Sequence, residues 1–350
     1  MARAIEPGSA LRQDTKASAP NGRFAFIVYG DTRGPADGET LQPQHSDVVD
    51  TMLDVIARQR SLGFPVPFVV QTGDAVTSGR FGKQWNVSFI PVIERLIARG
   101  GVAYWFAVGN HDVTTSTDVG DPGRRLGLTS TSAAMAKLWP PEGTDQRLTG
   151  YPTYTFTYGA FFFVVLDSNI AEDRVQFEWV AAQLRAVDRT RLSEIVAVFH
   201  HPPITSGEHG GPTTVEPQSE ALRRLYMPLF REQHVRLLLT GHDHLFDHYI
   251  ERYEDGTGAH RLDHIVTGGG GAPIYRYTGE PDLVRYTETA LPTRVTIEHA
   301  VRPGRTTADN PHHFVVIQVD GSHLQLQVVP TVAAPFLPYG ADTVSLDSAR

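Results

Sequence analysis

Six short apolar, β-rich runs constrain this chain most: Phe24 to Tyr29, Val66 to Gln71, Ala103 to Val108, Phe161 to Leu166, Ile195 to Phe199 and Val235 to Thr240. Each is too short for a core helix and apolar on both faces, which predicts buried strands. Helical periodicity fills several of the gaps, at Asp47 to Gln59, Gln84 to Ala98, Val175 to Val187 and Glu220 to Gln233. Strands alternating with helices specify a layered α/β fold. Past residue 260 strands and turns take over, and His313 to Val319 and His323 to Val329 alternate as a hairpin closed at Asp320-Gly321. A chain of 350 residues, 41% hydrophobic, can bury the core of one such domain. The expected divisions are a flexible polar leader over 1–22, one domain over 23–335 and a tail over 336–350. Within the domain, a stretch rich in Gly, Thr, Ser and Pro over 114–150 is expected to be an excursion bordering the pocket.

In an open α/β sheet the functional groups gather where strands end and loops converge. Five of the six runs end in polar motifs: Gly30-Asp31-Thr32-Arg33-Gly34, Thr72-Gly73-Asp74, Gly109-Asn110-His111-Asp112, His200-His201-Pro202-Pro203 and Gly241-His242-Asp243-His244. Taken singly, a Gly-Asp is more often a turn or helix cap, and His-His-Pro-Pro a strand exit stiffened by proline. Taken jointly and in order, they supply carboxylate, amide and imidazole donors, the set that suits Mn, Zn or Fe. Two such ions about 4 Å apart need a bridging carboxylate to offset their repulsion, with neutral ligands preserving positive charge for a phosphoryl oxygen.

Composition narrows the choice further. Cysteine is absent, which excludes disulfides, thiolate nucleophiles and Cys-held zinc; fifteen histidines leave oxygen and imidazole ligation open. A formal net charge of -8 without a Lys/Arg-rich run argues against nucleic acid as partner. No apolar run approaches the roughly 18 to 20 residues of a membrane span. The first residues lack the apolar stretch of a secretory signal, so the expected compartment is cytoplasmic if Met1 is the native start and exported if a signal has been removed.

Gly-Asp-x, Gly-Asp, Gly-Asn-His-Asp, a strand ending in His, and Gly-His-x-His, in this order, resemble the calcineurin-like metallophosphoesterase superfamily, nearest its purple-acid-phosphatase-like branch. The resemblance spans about residues 23 to 275. It implies an α/β/β/α sandwich of four layers, two mixed sheets flanked by helices. It implies two metal ions and hydrolysis of small phosphate mono- or diesters by in-line attack of a metal-bound hydroxide. Asp74 would bridge the ions, Asp31 and His244 would complete the first, and Asn110, His200 and His242 the second. His111 would stabilise the phosphoryl group or protonate the leaving oxygen, with Asp112 fixing its tautomer. His209, in Thr205 to His209, stands where relatives contact substrate phosphate. His200 is preferred to His201 as ligand, with His201 expected to point to the other side of the strand. The run Gly268 to Gly271 is either a tight turn or a close approach of backbone to the centre.

Two positions depart from the pattern. Many members carry Asp-x-His in the first motif, and here Arg33 replaces that His; purple acid phosphatases place a tyrosine three residues after the second Asp, and here Thr77 stands there. Neither side chain is a useful metal ligand. Water or His45 could complete the first position, while Arg33 could clamp phosphate or form a salt bridge. A degenerate metal-binding protein of the same fold, and less readily a nuclease, are the alternative readings.

Overall fold

Residues 1–8, 22–113, 116–211, 214–331 and 336–347 are described by a computed structural model. The first sheet contains β1 (Arg23–Tyr29), β2 (Phe68–Gln71), β3 (Ala103–Phe106), β11 (His313–Asp320), β12 (His323–Pro330) and β13 (Val344–Ser345), in the order β13-β12-β11-β1-β2-β3. The second contains β4 (Tyr154–Tyr158), β5 (Phe161–Val165), β6 (Glu194–Val198), β7 (Leu237–Thr240), β8 (Phe246–Asp255), β9 (Gly258–Thr267) and β10 (Val295–Val301), in the order β10-β8-β9-β7-β6-β5-β4. β1, β2 and β3 run parallel, as do β5, β6 and β7, while the flanking strands are antiparallel apart from the parallel β7–β9 pair. All six expected strands form. The Val66 run starts only at Phe68, because Pro65 and Pro67 have no N–H to donate to a ladder.

The two sheets meet face to face through aromatic side chains. Phe26 packs edge-on against Phe163 at 5.6 Å and Phe68 does so at 5.5 Å, and all three rings are buried. Each such ring stabilises the sandwich by about 2–3 kcal/mol. Helix Pro43–Ser61 and a helical segment over 82–100 cover the outer face of the first sheet, and Arg174–Arg185 with a helical segment over 217–232 cover that of the second. The fold is thus the expected four-layer α/β/β/α sandwich. Both composite helices contain a π-turn, Trp85–Phe89 and Leu222–Tyr226, two residues ahead of Pro91 and Pro228. A proline inside a helix donates no hydrogen bond and crowds the carbonyl four residues back, and widening the preceding turn relieves that.

Several expectations change. The leader is not free over residues 1–8: Ala2 and Ile5 are buried, the Ile5 N–H donates to the Ala134 carbonyl at 2.9 Å, and Arg3 pairs with Glu94. The rest of the expected leader, 9–21, lies outside the described residues. The tail beyond 335 adds β13 to β12 and buries Leu346, so the domain extends further than 335. The 114–150 excursion contains helix Pro122–Met135, capped by Asp121 and tied down by the buried Arg124–Asp167 ion pair. Its glycines, serines and threonines hid it, since they are weak helix formers. β8 escaped notice because its sequence is polar, yet Asp247, His248 and Glu251 are buried and paired with His299, Asp263 and Arg231.

Candidate metal centre

The parallel strands of both sheets direct their carboxyl ends to one cleft. β1 delivers Asp31, β2 Asp74, the loop after β3 Asn110, β6 His200, and β7 His242 and His244. Asp31, Asp74 and His242 adopt left-handed backbone at φ 61°, 56° and 71°. Such a conformation costs about 1–3 kcal/mol at a non-glycine residue, and three instances at one cleft mark a site that function has shaped. Glycines clear the space around the carboxylates. A Cβ on Gly109 would collide with the Asp74 carboxylate, one on Gly241 with that of Asp31, and one on Gly73 would lie 2.7 Å from His200 Nδ1.

Each histidine is held in one tautomer by a fixed acceptor. His200 Nδ1 donates to the Thr72 carbonyl at 3.0 Å, leaving Nε2 unprotonated. His242 Nε2 donates to Glu216 at 2.8 Å, leaving Nδ1 unprotonated. His244 Nδ1 donates to the Pro273 carbonyl at 2.6 Å, again freeing Nε2. The lone pairs of His200 and His242 then face each other at 3.2 Å, with Asn110 Oδ1 2.9 Å and Asp74 Oδ1 3.4 Å from His200 Nε2. Four donors crowding together without protons between them fit a cation, and the residue types suit Mn, Zn or Fe. Burial pushes the His242 imidazolium well below its ordinary pKa, so it is a neutral ligand at physiological pH. Burial raises the Asp74 carboxyl, but the Arg33 guanidinium beside it and the His111 backbone N–H on Oδ1 favour the ionised form, and the balance lies below the ordinary carboxylate range.

The other half of the cluster fits an ion less well. His244 Nε2 lies 3.5 Å from Asp31 Oδ1, a buried oxygen with no hydrogen-bond partner among the described residues. Into the same space reaches Arg33, with Nε 3.4 Å from Asp74 Oδ2 and Nη2 3.5 Å from His244 Nε2. A divalent ion about 4 Å from a guanidinium is repelled by about 8 kcal/mol at an effective dielectric of about 20. Among the described residues nothing completes the ligand set: the Thr77 hydroxyl donates to the Gly34 carbonyl at 2.9 Å and lies 3.1 Å from Asp37. His45 is excluded as the replacement ligand, since it is buried with Nδ1 against Gln42 and Nε2 against the Tyr29 hydroxyl, at 2.8 and 3.1 Å.

Around the donors, the expected helpers divide. His111 Nδ1 donates to the Thr77 carbonyl at 2.7 Å, so its Nε2, 3.9 Å from Asp74, is the atom facing the cleft. Asp112 therefore does not set the tautomer of His111. Its carboxyl instead accepts backbone N–H groups of Asp74, Ala75 and Gly109 at 2.8, 2.9 and 2.8 Å, pinning two ligand loops together. His209 stacks on His242 with ring centres 3.8 Å apart and donates from Nδ1 to Glu216 at 2.9 Å. Burial lowers its pKa, but the bond to Glu216 and the charges of Asp243 and Asp31 raise it further, to about 9. His201 does not point away: its ring is 4.4 Å from that of His242, and Nδ1 faces Ser168 Oγ at 2.8 Å. Glu216, which orients both His209 and His242, was missed, because it lies in the segment ahead of a helix and ends no strand. Gly268 to Gly271 packs onto the first loop, with the Gly270 N–H on the Gly30 carbonyl at 2.8 Å, so close backbone approach is its role.

A donor cluster of this composition at the strand ends of a four-layer sandwich is the arrangement of the metallophosphoesterase fold. The chain belongs to the calcineurin-like phosphoesterase family, which it matches over residues 24–246. Among solved structures it is similar to the purple acid phosphatase PPD1 from seeds of yellow lupin (Lupinus luteus), at 18% identity and a TM-score of 0.62 over 94% of this chain and 54% of that one. It is also similar to GAP50, the anchor in the inner membrane complex of Plasmodium, at 16% identity and a TM-score of 0.53 over 94% and 90% of the two chains. The chain spans about half the length of the lupin protein, and at these identities the likeness is one of fold. No curated protein matches it in sequence.

Proposed function

We propose that the chain hydrolyses small phosphate mono- or diesters with metal held by Asp74, Asn110, His200 and His242. The observation that carries this reading is the convergence of His200 Nε2, His242 Nδ1 and Asn110 Oδ1, each left without a proton by its own second contact or chemistry. A bound Mn, Zn or Fe ion would supply Lewis-acid polarisation of a phosphoryl oxygen and acidify an attacking water. The chain's own groups do the rest. Arg33, against His244, and the imidazolium of His209, against His242, offer N–H donors to phosphate oxygens. His111, on a side chain 31% exposed, can as the imidazolium pass its Nε2 proton to the departing oxygen while Nδ1–H stays on the Thr77 carbonyl. A cavity of about 460 Å³ beside the Arg33 loop, walled by Pro35, Leu41, Pro43, Pro273 and Ile274, gives the ester group an apolar surface. The negative net charge and the absence of a basic run support a small substrate over nucleic acid.

The test is turnover of p-nitrophenyl phosphate and its bis-ester by metal-stripped protein before and after adding Mn or Zn. Hydrolysis that returns with metal is expected. Equal rates in both states would end the proposal.

A further inference from the structure

The Arg33 guanidinium lies where the first of two ions would need its ligands. Its Nε faces Asp74 Oδ2 at 3.4 Å and its Nη2 faces His244 Nε2 at 3.5 Å, on a side chain only 19% exposed. Those two acceptor atoms, with Asp31, are the ligands that the described residues offer the first position. Thr77 and His45 are engaged elsewhere, as their hydrogen bonds show. We propose that Arg33 is a built-in cation in place of the first ion, so that the chain binds one metal, at Asp74, Asn110, His200 and His242. The proposal deepens the reading above and shares its ligand set.

Three further observations agree with a fixed positive charge at this place. Oxygens of Asp31 and Asp74 and a nitrogen of His200 lie within 4.8 Å of one another, so Asp31 can serve the single ion instead of a neighbour. The charge count also favours one ion: one divalent ion and one guanidinium against two carboxylates leave +1 to attract a phosphate, whereas a second divalent ion beside the same guanidinium would leave +3 in a buried cleft. Arg33 Nε, moreover, is buried beside Asp74 Oδ2 with no hydrogen bond among the described residues, so it is the charge of the guanidinium that faces the carboxylate there. A planar guanidinium held between Asp74 and His244 binds phosphate in the fork geometry suited to it and is present in every molecule, whatever the metal supply.

Metal content decides the matter without any assay of turnover. Full-length protein is loaded with Mn, dialysed, and examined by elemental analysis and electron paramagnetic resonance. One ion per chain with an isolated Mn(II) signal is expected for the wild type, and two ions with exchange coupling for Arg33→His, which supplies the missing imidazole. Two coupled ions in the wild type would overturn the proposal even if the protein is an active esterase. One ion in a protein that hydrolyses no ester would sustain the proposal and sink the esterase reading, and no bound ion would remove both. Should Arg33→His fail to fold, the wild-type count still decides.

Discussion

The two halves of the donor cluster, one complete in the sequence and one a ligand short, differ also in how the fold prepares them. The Asp74, Asn110, His200 and His242 half has its imidazoles locked by Thr72 and Glu216, so its lone pairs are aimed before any ligand arrives. The Asp31 and His244 half is equally well oriented, through the His242 N–H and the Pro273 carbonyl, but shares its space with Arg33. Orientation alone therefore does not make a metal site; the charge already present matters as much. The largest expected effect separates the halves directly. Asp74→Ala and His200→Ala should each lower kcat/KM on p-nitrophenyl phosphate by about a thousandfold or more, and His244→Ala by only about tenfold. Equal losses at all three positions, measured with matched circular dichroism, would erase the distinction.

A smaller effect probes how the prepared half is held. Glu216 accepts from His242 Nε2 and from His209 Nδ1, at 2.8 and 2.9 Å. Glu216→Gln keeps the shape but removes the charge that steadies both rings. Apparent metal affinity, read by calorimetry, should fall about 10–100-fold, as it does when a partner behind a metal-bound histidine is lost. Unchanged affinity with altered KM would instead confine Glu216 to the substrate side, through His209.

Much of this was legible in the chain because parallel strands advertise themselves. A strand buried on both faces must be apolar throughout, and a ligand at its end is announced by the abrupt change to Gly-Asp or Gly-His. That is why Asp31, Asp74, Asn110, His200 and His242 could be read together. β8 gives no such signal: its buried Asp247, His248 and Glu251 are neutralised by partners far away in sequence, which no local pattern records. Glu216 and the backbone role of Asp112 were hidden for the same reason, since each acts through a contact made only when two loops meet. His201 shows a further limit, because alternation of side chains holds along a strand and lapses beyond β6, which ends at Val198.

His45 completes the comparison, as a histidine near the cleft that the fold uses for structure. It is fully buried, bonded to Tyr29 and Gln42, and stacked on Phe89 at 5.5 Å. Burial, helped by the charge of Arg95, lowers its pKa from 6.5 to about 3. Between those values the unfolded chain carries a proton on this ring that the folded chain does not, so stability must fall as pH drops from 6.5 toward 3. Each tenfold change in proton affinity is worth about 1.4 kcal/mol, which makes the contribution a few kcal/mol across that window. His45→Gln should cost some stability at neutral pH through imperfect packing, yet flatten the decline on acidification, as urea midpoints taken from pH 7 to pH 4 would register. Turnover at neutral pH and metal content should stay unchanged, the smallest effect of the series. A His45→Gln protein that lost metal would return this residue to the ligand set from which its two hydrogen bonds remove it.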